Sequence, residues 1–146
     1  MISLIQRVTR ARVLVGDEVV GAIDGGLLAL VGLEPGDGDV QVQRMAGRLL
    51  GYRVFADDQG RMNRSLADTG GGLLLVSQFT LAADTRSGMR PGFSTAAPPE
   101  TAEPGFNQLV ETCRQAHAGR VETGRFGAHM TVELVNDGPV TFLLRA

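Results

Sequence analysis

The chain has no lysine, no tryptophan, one cysteine, one tyrosine and two histidines in 146 residues. Each scarcity closes off a kind of chemistry. A single cysteine, Cys113, allows no internal disulfide, which fits a reducing compartment. Neither His117 nor His129 has a Cys or His at ligand spacing, and CxxC, HExxH and an Asp-rich calcium loop are all missing. No metal and no other cofactor is therefore expected. A dinucleotide or P-loop glycine motif follows a strand, whereas Gly70-Gly71-Gly72 precedes one and reads as a flexible strand entry. GxSxG is absent, which argues against the nucleophile elbow of an α/β-hydrolase. All 14 basic side chains are arginine, set against 16 carboxylates for a formal net charge of −2. Broad, charge-driven binding to nucleic acid needs a basic face and is not expected. A small, shaped contact with an RNA end stays open. The longest apolar run, LLALVGL at 27–33, is far too short to span a bilayer. The opening ISLIQRV lacks the charged start and long apolar core of a signal peptide.

What is present is an ordinary balance of 43% hydrophobic and 21% charged residues, long enough for one domain over 1–146 with a real core. Residues 1–9 alternate as a first strand, and 12–15 with 19–23 flank Gly16-Asp17-Glu18 as a hairpin. GLLALVGLE (26–34) is a continuous apolar run, so a strand buried on both faces is predicted. Val42, Met45, Leu49 and Tyr52 lie near helical spacing, which predicts a helix from 40 to about 51. Residues 56–65 are turn-rich. GGLLLVSQF (71–79) is the clearest strand, and 82–99 is a long irregular loop of the kind that often carries function. A second helix is predicted over 100–118, with Phe106, Leu109, Val110 and Cys113 on one face. Two more strands are predicted at 129–136 and 140–145, joined by an Asn-Asp-Gly turn. The class is α+β: a single layered domain of largely antiparallel or mixed sheet with two helices on one face.

Three places could carry chemistry. Ser77, Gln78 and Thr80 are polar groups where the buried strand stops and the long loop starts, although hydroxyls often bond strand ends without further purpose. Cys113 and His117 are four apart on one helix face and could touch, yet Cys113 reads equally as a small core hydrophobe. Gly138-Pro139 interrupts a presumed turn. Proline removes a donor and fixes φ, glycine admits conformations closed to other residues, and an X–Pro bond tolerates cis at a cost of about 0.5–1 kcal/mol. Such a pair can aim two carbonyl oxygens rigidly, or be a plain turn; spacing does not decide between these.

LIQRVTRA (4–11), VSQFTLAAD (76–84), MRPGFS (89–94), TGRFGAHM (123–130) and VNDGPVTF (135–142) together resemble the bacterial D-aminoacyl-tRNA deacylases, almost end to end. The resemblance implies a homodimeric, cytosolic hydrolase with no membrane contact. Its substrate would be the ester joining a D-amino acid to the terminal adenosine of tRNA. It implies that the Gly138–Pro139 bond is cis and reaches into the partner subunit's pocket, while Ser77, Gln78, Phe79 and Thr80 line the pocket of their own chain. Arg7 matches the arginine that steadies the Gly–Pro loop, and Met130 matches a pocket wall. Backbone groups and the neighbouring ribose 2′-OH would do most of the chemistry, with Thr80 as nucleophile the second alternative. Phe79, Phe93 and Arg90 are candidates for gripping the adenosine, unless both Phe are core. The sequence departs from the family at Gly92, where Ser is common. Glycyl-tRNA is expected as a further substrate, because glycine has no side chain to collide with the loop.

Overall fold

One long strand organises the molecule, a computed structural model describing residues 1–146. Strand β1 (Ile2–Val15) is continuous where the sequence predicts a strand and a separate hairpin arm. On one edge its first half pairs antiparallel with β3 (Gly26–Gly32), and its second half with β2 (Glu18–Ile23). On the other edge it pairs antiparallel with β8 (Thr131–Arg145) along its length. β3 then continues parallel to β6 (Gly72–Ser77), and β6 parallel to β7 (Val121–Thr123). The sheet is thus mixed. β2 comes round to meet β7, so the sheet nearly closes on itself. The seam is tight: a Cβ on Gly21 would lie 2.2 Å from the Thr123 carbonyl oxygen.

Parallel neighbours need long crossovers, and the two predicted helices supply them. α1 (Asp39–Gly51) lies between β3 and β6, and α3 (Pro99–Ala116) between β6 and β7. Both pack on one face of the sheet. There Leu27, Leu73 and Leu75 join Met45, Leu49 and Leu109 in a cluster of 22 buried residues. The other face of the same strands puts Leu28, Leu74 and Val76 against Val8, Val13 and Ile23 in a second cluster of seven. Strands covered on both faces have no polar alternation, which is why these two runs are continuous in sequence.

Local chemistry sets the remaining elements. The 56–65 stretch holds a small hairpin, β4 (Phe55–Ala56) and β5 (Met62–Arg64). A third helix beyond the two predicted, α2 (Leu66–Thr69), follows it. The Ser65 hydroxyl accepts the Asp68 N–H at 3.2 Å, and the Asp68 carboxylate accepts the Ser65 N–H at 2.8 Å, a reciprocal cap that starts one turn of helix. α3 begins at Pro99, where a missing N–H costs nothing.

The larger correction is β8. Residues 129–136 and 140–145 do not form a hairpin; both halves run antiparallel to β1, with Val8 opposite Asn136 and Gln6 opposite Thr141. On β1 only Arg7 lies between those pairs, whereas β8 has Asp137 to Val140. The surplus leaves the ladder as a bulge. Pro139 has no N–H to return to the ladder. Gly138 sits at φ +133°, and a Cβ there would meet the Val140 side chain at 2.8 Å. Any residue with a side chain is strained at that point.

Candidate active site

Where β6 ends, the chain turns sharply. The Gln78 N–H donates to the Val31 carbonyl at 2.7 Å, the last link to β3. Phe79–Ala82 then form one turn of 3-10 helix. The Gln78 side-chain amide donates to the Thr80 hydroxyl. Beside this turn lies a cleft of about 640 Å³. Ser77, Gln78 and Phe79 form one wall, Phe93 and the Ala96–Pro99 segment another, and Phe126, His129 and Met130 a third. Its lining contains no carboxylate and no guanidinium, and His129 is the only histidine there.

Phe79 and Phe93 are not core residues. They are 56% and 47% exposed, with ring centroids 5.2 Å apart, and together make an aromatic lip on the cleft. The loop leading to Phe93 is held by its own hydrogen bonds. Asp84 and Gly92 exchange two backbone bonds at 2.8 and 2.9 Å. The Arg86 guanidinium, and then its backbone N–H, donate to the Asp84 carboxylate and hold its pKa well below the usual carboxylate range. The Thr95 hydroxyl donates to the Ala82 carbonyl at 2.7 Å, tying the end of the loop to the turn. Arg90 is on this loop, exposed and without an ion pair, and does not line the cleft.

Arg7, Gly138 and Pro139 lie elsewhere on the chain and contribute nothing to this cleft. Arg7 donates from one terminal nitrogen to the Val54 carbonyl at 2.6 Å and from Nε to the Asp137 carbonyl at 3.0 Å. The Asp137 carboxylate is a further 3.4 Å contact. The bulge is thereby fixed at its base, and its tip, Gly138–Pro139, is a cis peptide exposed to solvent. The residues therefore form two groups: Ser77, Gln78, Phe79, Phe93 and Met130 line the cleft, with Thr80 outside the lining and joined to it through Gln78, and Arg7 lies with Gly138-Pro139 at the bulge.

The Cys113–His117 pairing does not form a reactive dyad. Burial pushes the Cys113 thiol up to about 12, so it is not a thiolate at neutral pH. A ring nitrogen of His117 bonds the Gly71 carbonyl at 2.7 Å, which pins the entry to β6. No three His, Cys, Asp or Glu side chains converge as a metal site would require. Phe126 and His129 also line the cleft, where the sequence singles out only Met130 of the TGRFGAHM segment. Nothing local marks them; β7 carries them to the end of β6.

The sequence profile described as D-Tyr-tRNA(Tyr) deacylase matches residues 4–145. A D-aminoacyl-tRNA deacylase of Stenotrophomonas maltophilia (strain K279a) is 76% identical over 145 residues, covering 99% of both chains. One of Xanthomonas axonopodis pv. citri (strain 306) is 74% identical with the same coverage. Among solved structures, the c-Myc DNA Unwinding Element Binding Protein superposes with a TM-score of 0.95 at 38% identity, covering 100% of this chain and 99% of its own. With a profile match over nearly its whole length and relatives three-quarters identical to it, the chain belongs to the D-Tyr-tRNA(Tyr) deacylase family.

Proposed function

We propose that this protein hydrolyses the ester bond of D-aminoacyl-tRNA, releasing free tRNA and the D-amino acid, and so removes wrong-handed residues before translation uses them. One observation carries the reading beyond family membership: a neutral cleft with an aromatic lip opens where β6 ends in Ser77-Gln78-Phe79-Thr80. A largely apolar cleft without carboxylate or guanidinium suits an adenosine and an amino acid better than it suits phosphate. Phe79 and Phe93 can take the adenine by stacking, with Arg90 close along the loop.

The ester of an aminoacyl-tRNA is already activated, so positioning and stabilisation of the developing oxyanion can supply the acceleration. The first N–H groups of the Phe79–Ala82 turn have no acceptor within that turn and are suited to the oxyanion. Gln78 orients the Thr80 hydroxyl by donating to it. No histidine or carboxylate bonds that hydroxyl, so Thr80 lacks the base a nucleophile needs. The ribose 2′-OH beside the ester is the better proton partner, and Thr80 serves to position it. Ser77 and Met130 complete the walls.

Selectivity comes from the bulge. In a homodimer the Gly138–Pro139 carbonyl oxygens of one chain enter the cleft of the other and accept the substrate's ammonium. An L side chain would then point into main chain and be rejected by collision. Glycine has nothing to collide, so glycyl-tRNA is accepted as well.

The test is release of labelled amino acid from charged tRNA by the purified protein. D-tyrosyl-tRNA is expected to be cleared while L-tyrosyl-tRNA survives. Intact D-tyrosyl-tRNA would overturn the activity. Clearance of D-tyrosyl-tRNA with glycyl-tRNA left intact would overturn only the collision filter.

A further inference from the structure

We propose a nucleic-acid docking surface beside the base of the bulge, formed by the Arg44–Arg48–Tyr52 stripe of α1 and the β4–β5 hairpin, which holds tRNA beyond its terminal adenosine. This rests on the deacylase reading for the identity of the nucleic acid. Arg44, Arg48 and Tyr52 are spaced four apart and share one stripe of α1 and its cap. Arg48 sits in the last turn, where a cation suits the helix dipole; Arg44, one turn earlier, gains nothing from that and repels Arg48 at this spacing. Arg48 lies over the Tyr52 ring at 5.6 Å, and Tyr52 meets the edge of Phe142 at 5.6 Å. Tyr52, Arg53, Met62 and Phe142 line a shallow concavity beside them. Met62 is 54% exposed and Phe142 37% exposed.

The charges there are unbalanced in a specific way. Arg44, Arg48, Arg53 and Arg61 make no salt bridge; Arg53 donates to the Asn63 side-chain oxygen at 3.2 Å and lies close enough to Asp68 for its charge to help lower that carboxylate's pKa. Arg48 Nε is buried without any acceptor. The neighbouring carboxylates are engaged locally. Asp57 accepts the Gln59 and Arg61 N–H groups at 2.9 Å, Asp58 pairs with Arg64 at 2.8 Å, and Asp68 caps α2. Guanidinium groups outside any salt bridge, interleaved with partly exposed aromatic and thioether faces, match a ligand that is planar and anionic by turns. That is the chemistry of bases and phosphates. An acidic peptide would answer the arginines and leave the ring faces unused.

Position points to the same partner. Arg7 bonds both Val54 and Asp137, so this surface adjoins the base of the Gly138–Pro139 bulge. If the bulge enters the partner's cleft, nucleic acid leaving that cleft passes over this patch. A chain with net charge −2 then concentrates its phosphate contacts at one spot.

The probe is uncharged tRNA, with binding followed by fluorescence anisotropy across a salt series for the wild-type protein and R53E/R61E. Both substituted residues are exposed and outside the cleft. The variant is expected to bind tRNA at least about ten-fold more weakly, with the slope of log Kd against log salt shallower by about one for each arginine removed. Its hydrolysis of D-tyrosyl-adenosine, which is too short to reach the patch, is expected to match wild type. Equal tRNA affinity and slope would overturn the docking surface, as would a parallel loss on D-tyrosyl-adenosine. Weakened tRNA binding in a protein that hydrolyses no D-aminoacyl ester would leave the surface standing and remove the activity instead.

Discussion

Arg7 reaches two main-chain carbonyls from one guanidinium, at Val54 and Asp137, and so joins the segment after α1 to the base of the bulge. A lysine would keep the charge, but a single ammonium on a flexible stem does not reproduce the fork. Arg7→Lys is expected to let the bulge wander. The ratio of rates on D- and L-tyrosyl-tRNA should fall at least about ten-fold, as judged by parallel deacylation assays. Arg7→Ala should also cost about 1–3 kcal/mol in urea unfolding, the range for leaving a part-buried carbonyl such as that of Val54 unpaired. Cys113 makes a different kind of prediction. Burial holds its pKa at about 12, above the unfolded value of about 8.5. The folded state therefore keeps the proton more tightly. This group's contribution to stability is complete below about pH 8.5 and is lost as pH rises from there towards 12. Cys113→Ala should flatten that part of the alkaline decline in the urea midpoint, and the native thiol should not react with a disulfide reagent at pH 8 until the chain unfolds.

Among the elements, the seam between β2 and β7 decides whether the cleft exists. β7 has three residues, yet it leads directly into the segment carrying Phe126, His129 and Met130. Gly21 lets β2 approach it. Gly21→Ala puts a methyl into the Thr123 carbonyl. The expected result is a loss of about 1–3 kcal/mol in urea unfolding with an unchanged m-value, and a fall in kcat/KM because the third wall moves. An unchanged midpoint would show the sheet to be open there. The same seam explains what could be read in advance. β3 and β6 were legible because burial on both faces leaves a continuous apolar run, and α1 and α3 because their buried stripes have a period near 3.6. The Ser77–Thr80 side of the cleft followed from β6, whose end is visible as an apolar run giving way to polar residues. β7 was not legible, since Val121–Thr123 is too short to show a period and is a strand only through its pairing with Leu73–Leu75. β8 was misdivided for a related reason. VNDGPV contains every local mark of a turn, and only the register against β1 reveals that the chain does not reverse.

Taken whole, one chain holds a cleft and a bulge that do not meet, and apolar residues on β8 such as Val135 and Leu143 remain 41% and 49% exposed. The composite site of two chains proposed above would account for both, and it can be tested without knowing the interface. Gln78→Ala damages a chain's own cleft and leaves its bulge intact; Pro139→Ala does the reverse. Each variant alone forms only defective sites. In a mixed dimer, the cleft of the Pro139→Ala chain receives the intact bulge of the Gln78→Ala chain, giving one good site of two. Equal amounts unfolded and refolded together yield mixed dimers as about half of the molecules, so roughly a quarter of wild-type activity is expected to return for a two-fold dimer. Before mixing, neither variant should exceed a small fraction of that rate, and both should elute as wild type on size exclusion. If cleft and bulge instead acted within one chain, mixing would restore nothing beyond the sum of the two residual activities.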